Sequence, residues 1–429
     1  AALMPEEKQE MAQEVDLLTY NPLDRKAQQD PFPYYAALRK EAPVYHHKAS
    51  GLYFISSMDA VLEVLTAPSL FSSKASKPDT APEGAIGDEL REIARSGFPN
   101  VSTMLTADPP AQTRYRKSIG KPFGPRRIKE FEPLLREVCA DLIEAWPDQG
   151  EVAFLESFAM PFPIGAISHA LGMAPSLAAD IKRWSDDSVA ALGARISDSR
   201  RLEAAQGVVE SQKYWASRYE QAQADPVGDI VSNLVNADFE DHMGVVRKLD
   251  VNEFISMMRQ FMVAGNETTT KLLTSGIRLL IENPEEWKKI QQDPSLIPPM
   301  VEEVLRIASP NQGLFRTVTE DTELQGIPLR AGDRLWVIFG SANRDEKYFP
   351  DPDRFNPARE NLRSHLAFGK GTHVCPGAPL ARLEARVAFE ELVSSVESFA
   401  FAPGYKAEYE PSYVLRGLTR LDVVLKKHA

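Results

Sequence analysis

The chain has 429 residues, 43% of them hydrophobic, a length and apolar share that allow one large fold to bury a sizeable core. Its formal net charge is −12 with no long basic run, which argues against nucleic acid as a general partner. Two cysteines, Cys139 and Cys375, give no disulfide framework and suit a reducing cytosol, and no run of eighteen apolar residues is present to span a membrane.

The first residues, AALMPEEKQEMAQEV, are acidic and lack the apolar centre of a signal peptide, so 1–20 is expected to be a loosely ordered lead-in. Asp30-Pro31 reads as a helix start, with Asp as cap and Pro at the first helical position, and that helix ends before Pro43. Val44-Tyr45-His46 and Leu52 to Ile55 flank Ala49-Ser50-Gly51 as a hairpin, and Asp59 to Leu65 is a short helix. Residues 72–104, interrupted by prolines and glycines, read as irregular, with one helical turn near Glu89 to Arg95. A loop of that length is usually functional or mobile. Asp108-Pro109-Pro110 opens the next helix, on which Gln112 and Arg116, four apart, share a face. The basic residues after it, Lys117, Lys121, Arg126 and Arg127, have a solvated face as their ordinary reading.

Residues 130–146, 161–172, 176–192, 199–224 and 228–236 read as helices, with Trp184 and Trp215 packing in cores. Asp250 followed by Glu253 is a capping-box start. The helix after it runs to about Asn283, where Pro284 stops it, roughly 45–50 Å at 1.5 Å per residue. Its apolar residues recur around most of its circumference, so it should be centrally buried. Buried acids and hydroxyls are costly there, and Ala264-Gly265-Asn266-Glu267-Thr268-Thr269 supplies both. Gly265 weakens the helix, and a Thr hydroxyl can bond back to a carbonyl of the preceding turn. A widened groove able to hold a small molecule is one expectation. A glycine at a helix crossing beside a salt-bridged Glu is the other.

Residues 298–309 form a further helix carrying Glu303 and Arg306, and 314–339 read as short strands with a turn at Arg330 to Asp333. Next comes FGKGTHVCPG, Phe368 to Gly377, whose glycines permit a tight backbone loop around Cys375. A helical pattern opens at Ala378, and a helix N-terminus stabilises an adjacent thiolate. That arrangement suits an electron-rich thiolate ligand to a large planar cofactor, against the plainer reading of a buried core cysteine in a Gly-rich turn. A last strand region, Tyr413 to Leu418, turns at Gly417.

Four segments in order, DPPAQTRYR, AGNETT, EVLR and FGKGTHVCPG, resemble the cytochrome P450 family of haem-thiolate proteins. The resemblance implies a mainly α fold with small β-sheets (α+β), built as one haem domain over 21–429 around a long central helix. It implies haem b with Cys375 as the iron ligand, O2 as co-substrate, and Ala264, Gly265, Phe368, Gly369 and Gly377 around the cofactor. By the same resemblance Gln112, Arg116, Arg316 and His373 face the haem propionates. Relatives often carry His where this chain has Gln112. Glu267 and Thr268 stand at the acid and alcohol positions of the oxygen-activation motif, where many relatives have Asp for the acid. Glu303, Arg306 and Arg359 match the structural set that fixes the cysteine loop. Met258, Met262, Val263, Leu314 and Val414 are the expected substrate-pocket residues.

The implied activity is a monooxygenase that hydroxylates a hydrophobic small molecule, terpenoid or steroid-like first and fatty acid second. No electron-transfer module is attached, so electrons come from a separate iron–sulfur ferredoxin and its reductase. Arg114, Lys117, Lys121, Arg126 and Lys370 are the expected docking set. A cytoplasmic monomer without membrane span or nucleic acid is expected. A peroxide-driven haem enzyme would usually lack the Glu267–Thr268 pair, and a non-catalytic haem sensor would not need it.

Overall fold

The capping pair before the long helix is formed as its spacing predicts. Asp250 Oδ1 accepts from the Glu253 N–H at 2.8 Å, and Glu253 Oε1 accepts from the Asp250 N–H at 2.9 Å. The computed structural model describes residues 15–74, 83–120 and 123–429. In chain order its main helices are α1 (Ala85–Arg95), α2 (Ala111–Ser118), α3 (Glu132–Glu144), α4 (Pro161–Ala170), α5 (Ala178–Val189), α6 (Asp198–Ala224), α7 (Val251–Glu282), α8 (Ile297–Ala308) and α9 (Ala378–Ser395). α7 is the central element: α4, α5 and α6 pack on one part of it, and α8 and α9 on another.

Its apolar circumference explains that position. Phe254, Met258, Met262, Leu273 and Ile277 are fully buried in one large core with Trp215 of α6, Val304 of α8 and Phe389 of α9. At about 25 cal/mol per Å² of apolar surface removed from water, such burial is the main force holding the helices on α7.

Beside two two-stranded ribbons, two larger sheets flank this body. The strands β1 (Val44–His46), β2 (Tyr53–Ile55), β3 (Phe71–Ser72), β4 (Gln149–Ala153), β5 (Leu314–Val318), β6 (Arg334–Val337), β7 (Val396–Phe401) and β8 (Asp422–Lys427) form them. The first sheet has the order β1-β2-β6-β5-β3, with β6 parallel to β2 (Leu335 opposite Tyr53) and antiparallel to β5 (Leu335 opposite Arg316). The second has the order β7-β8-β4, antiparallel throughout. Because side chains alternate along a strand, the register of β5 sets which of its residues face α7. No helix among the described residues is long and apolar enough to cross a membrane.

Several local expectations are corrected. Pro31 and Pro110 occupy the N-cap positions themselves, and neither Asp30 nor Asp108 caps its helix. Asp108 instead accepts from the Ser73 N–H at 2.8 Å and from the Ser72 hydroxyl, which ties the start of α2 to β3. The single turn expected near Glu89 to Arg95 is the eleven-residue helix α1, entered through Gly84 at φ 79°. Residues 1–14 of the expected lead-in lie outside the described residues, while Leu17 and Tyr20 are buried in a cluster with Tyr35, Phe54 of β2 and Trp336 of β6. Tyr413 to Leu418 is not a strand but contributes isolated bridges, Leu415 to Asn311 and Leu418 to Tyr409.

Candidate active site

The FGKGTHVCPG loop is shaped by two left-handed glycines, Gly369 at φ 71° and Gly371 at φ 80°. A Cβ at Gly371 would also lie 2.7 Å from the Leu65 carbonyl oxygen, so no side chain is tolerated there. The Cys375 N–H donates to the Phe368 carbonyl at 2.8 Å, closing the loop, and α9 starts at Ala378. Burial pushes the Cys375 thiol up, opposed by the backbone N–H groups of Gly377 and Ala378 and by Arg116 and Arg382. The thiolate form therefore needs one more positive charge beside the sulfur.

Above this loop a cavity of about 550 Å³ opens against α7. It is lined by every cofactor-set residue the resemblance placed there: Gln112, Arg116, Ala264, Gly265, Arg316, Phe368, Gly369, His373, Cys375 and Gly377. Glu267, Thr268, Val263, Leu314 and Val414 line it too. Met258 and Met262 do not; both are fully buried in the core on another face of α7, which corrects their place in the pocket. The 3.6-residue period explains the error, since these two lie on the face that packs against neighbouring helices. Polar Arg259 and Gln260 line the cavity instead.

At Gly265 the second of the two expectations holds: it is a glycine at a helix crossing beside a salt-bridged Glu. The helix runs unbroken through it, and a Cβ there would lie 2.8 Å from Ile167 Cδ1, so the glycine lets α4 cross α7 closely. The Thr268 hydroxyl donates back to the Ala264 carbonyl at 3.2 Å, leaving its lone pairs toward the cavity.

Glu267 is buried, and its Oε2 accepts from Lys271 Nζ at 3.0 Å. Its Oε1 is buried without a donor. Asp186 of α5 stands carboxyl to carboxyl with it. Burial, helped by Glu267 and opposed by Lys182, raises Asp186 to about 6, well above its ordinary value. Spacing within one helix does reveal Lys271, four residues from Glu267. Asp186 and Lys182 arrive from a distant helix, and no local signal marks them.

Glu303 and Arg306 form a fully buried pair, with Arg306 Nε 3.0 Å from Glu303 Oε1, and Arg359 Nε reaches the same oxygen at 3.2 Å. The remaining guanidinium N–H groups donate to carbonyls of Asn343, Pro350, Asp351, Pro352 and Arg354. A second clamp escaped the sequence reading. His365 Nδ1 accepts from the Ala367 N–H at 3.1 Å, so Nε2 carries the proton and donates to Glu302, which also accepts from Arg382 at 2.6 Å. Those two donors outweigh burial and hold Glu302 down at about 2.

The family model for cytochrome P450 matches residues 199–403. The steroid C26-monooxygenase of Mycobacterium tuberculosis is 31% identical over 391 residues, 91% of this chain and 92% of that protein. The chain belongs to the cytochrome P450 family. Among solved cytochrome P450 structures, CREJ in complex with (4-ethylphenyl) dihydrogen phosphate superposes with a TM-score of 0.88 at 30% identity, covering 95% of this chain and 99% of that one. CYP109E1 from Bacillus megaterium in complex with testosterone gives a TM-score of 0.80 at 29% identity, covering 93% and 99%. The chain is thus a cytochrome P450 monooxygenase, an enzyme class that works with haem b and O2.

The cavity suits that cofactor on its own chemistry. Next to Cys375, His373 Nε2 is buried with no partner. Burial first, then Arg316, lower His373 to about 4. Arg316 is 7% exposed, it donates to the Phe315 carbonyl at 2.8 Å, and burial draws it down to about 10. A buried guanidinium whose hydrogen bond goes to a backbone carbonyl, beside a buried ring nitrogen with no partner and a buried thiol, fits a planar metal centre bearing carboxylates. Gln112 and Arg116 instead donate to the loop carbonyl of Thr372, at 2.7 and 3.1 Å, and so brace the loop.

Proposed function

We propose that this cytochrome P450 hydroxylates a large apolar molecule of steroid-like shape, with electrons from a separate iron–sulfur ferredoxin and its reductase. One observation carries the substrate reading: Val189, Leu192, Leu314 and Val414 line the same cavity as the Glu267–Thr268 pair. Similarity to the steroid C26-monooxygenase and to the cytochrome P450 bound to testosterone supports the same class. Cys375 would ligate the iron, and Arg316 and His373 would take the propionates, with Gln112 and Arg116 fixing the loop between them. Ala264, Gly265, Phe368, Gly369 and Gly377 would pack on the macrocycle. When bound, the haem supplies the oxidising chemistry, and the protein positions substrate and moves protons.

Thr268 would hold a water or hydroxyl proton at its cavity-facing oxygen, and Glu267 would resupply it. Glu303, Arg306 and Arg359 would keep the loop rigid beneath Cys375. On the outer side of that loop, the exposed Lys117, Arg126 and Lys370 would meet an acidic ferredoxin; Arg114 is partly engaged with Glu240 at 3.6 Å, and Lys121 lies outside the described residues. Two reduced, unpaired cysteines accord with a cytoplasmic enzyme.

The test is a binding panel of steroids, terpenoids and fatty acids read by difference spectra of the haem protein. Steroids should displace the iron-bound water at the lowest concentration; a fatty-acid preference would replace the steroid reading. Ferredoxin reduction rates should fall with added salt, because steering of exposed charges is screened within about 8–10 Å at physiological ionic strength. A salt-independent rate would remove the electrostatic docking.

A further inference from the structure

Arg259 is a charge that the reading above leaves without a use. It sits in the apolar run FISMMRQFMV of α7, and its side chain forms part of the cavity wall. Nε donates to Ser211 Oγ at 3.0 Å and Nη2 to Ser188 Oγ at 2.9 Å. These hydroxyls come from α6 and from the last turn of α5, so two helices hold the guanidinium in a fixed direction without neutralising it. Among the described residues no carboxylate pairs with it, and burial alone draws its pKa down to about 10. An arginine held this way has its remaining N–H groups free for an acceptor, and the apolar surroundings strengthen any ion pair it makes.

Among the described residues no anion is available to it. Two acids line the cavity, Glu267 and Glu384. Glu267 is committed to Lys271 at 3.0 Å, and burial raises Glu384 well above its ordinary value, which favours its neutral form. A second buried guanidinium on the cavity wall, Arg316, has Asp108 as its opposing charge, lies near His373 and suits the cofactor. Arg259 is elsewhere: it precedes Thr268 by nine residues, about 13 Å along the helix axis at 1.5 Å per residue.

We infer that Arg259 binds an oxyanion of the substrate, so that the enzyme acts on amphipathic acids, with the anionic group at one end of the cavity and the oxidised carbon roughly 10 Å or more away near Thr268. This rests on the placement of the haem at Cys375. A neutral analogue leaves the buried guanidinium unpaired, and that is the physical source of discrimination. Carboxylates and phosphate monoesters share the needed geometry, since a guanidinium meets either in a two-bond fork.

The experiment uses the full haem-loaded chain and calorimetric binding, independent of turnover. The probes are dodecanoate and dodecyl phosphate against dodecan-1-ol, and deoxycholate against its methyl ester. In the wild type at least one acid in each set should bind tenfold or more tightly than its neutral partner; the better of the two dodecyl anions identifies the oxyanion. Arg259→Gln should bring the ratios to within about twofold with the neutral affinities unchanged, and Arg259→Lys should keep an intermediate preference. Equal binding of acids and neutral partners by the wild type overturns the inference, as does a preference that survives Arg259→Gln, or no binding of any acid. Should Arg259→Gln fail to fold, the wild-type ratios and Arg259→Lys decide it. The carbon monoxide spectrum is recorded on the same samples: its loss in the wild type would strike the haem placement, whereas an intact spectrum without acid preference removes only the role of Arg259.

Discussion

Lys271 Nζ lies 3.0 Å from Glu267 Oε2 and 3.3 Å from Glu410 Oε2, so one buried ammonium joins the acid of the central helix to the C-terminal segment. Burial works against the charge on Lys271, but the two carboxylates outweigh it and raise its pKa. Glu267 is likewise kept ionised, because Lys271 and Lys182 outweigh its own burial. Removing one partner of a buried pair strands the other charge. Lys271→Met should therefore lose about 3 kcal/mol of stability in urea unfolding at pH 7, and Glu267→Gln with Lys271→Met should recover most of it. A single variant as stable as the wild type would mean that water already compensates the pair.

The Thr268 hydroxyl uses its proton on the Ala264 carbonyl, which leaves its oxygen as an acceptor facing the cavity. Thr268→Ala should retain haem, substrate binding and electron uptake, yet lower product per electron several-fold and raise hydrogen peroxide to match. Glu267→Gln should instead slow turnover by about 10²-fold, the low end for a lost proton-transfer group. Thr269 is the control, since its hydroxyl points to Glu384 at 3.5 Å. Unchanged coupling in both threonine variants would show that no hydroxyl relay operates.

The two cysteines should separate cleanly. Cys139 is fully buried in the core, and desolvation pushes its thiol far up. Cys375 borders the cavity with two backbone N–H groups toward its sulfur. Cys375→Ala should abolish the red-shifted band of the reduced carbon monoxide complex, and Cys139→Ala should keep it. A histidine-type spectrum in the wild type would contradict thiolate ligation.

What the sequence disclosed and what it hid follow one physical line. The central helix was legible because its caps are local: Asp250 and Glu253 bond each other, and Pro284 forbids continuation. The cysteine loop was legible because left-handed glycines and a lone thiol are local as well. Helix α1 is legible only as its last turn, because its start has no side-chain cap, only Gly84. Met258 and Met262 were misplaced because a helix apolar on nearly every face does not say which face borders a cavity. Arg259 did carry a signal, a charge inside FISMMRQFMV, and it was passed over. Asp186 carried none, since its meeting with Glu267 depends on how α5 crosses α7.

That crossing supplies the last prediction. Asp186 is half-buried, with Lys182 Nζ 2.6 Å from one oxygen and Glu267 beside the carboxyl. Its ordinary value is 3.8 and its folded value about 6, raised chiefly by burial. Between those values the folded protein holds a proton that the unfolded chain has released. The contribution to stability is therefore full below about pH 4 and is lost as pH rises through about 6. Asp186→Asn carries no titrating proton, so its melting temperature should vary less between pH 5 and 7 than that of the wild type. The same carboxyl reaches both solvent and Glu267, so it would pass protons inward to the buried acid. Wild-type turnover should then show an inflection near pH 6 that Asp186→Asn lacks, while Lys182→Met should move the inflection to higher pH by removing the cation that opposes the shift. The measurement is turnover and melting on the same haem-loaded samples across that range. Superimposable wild-type and Asp186→Asn profiles in both would leave Asp186 a surface acid with no part in proton delivery.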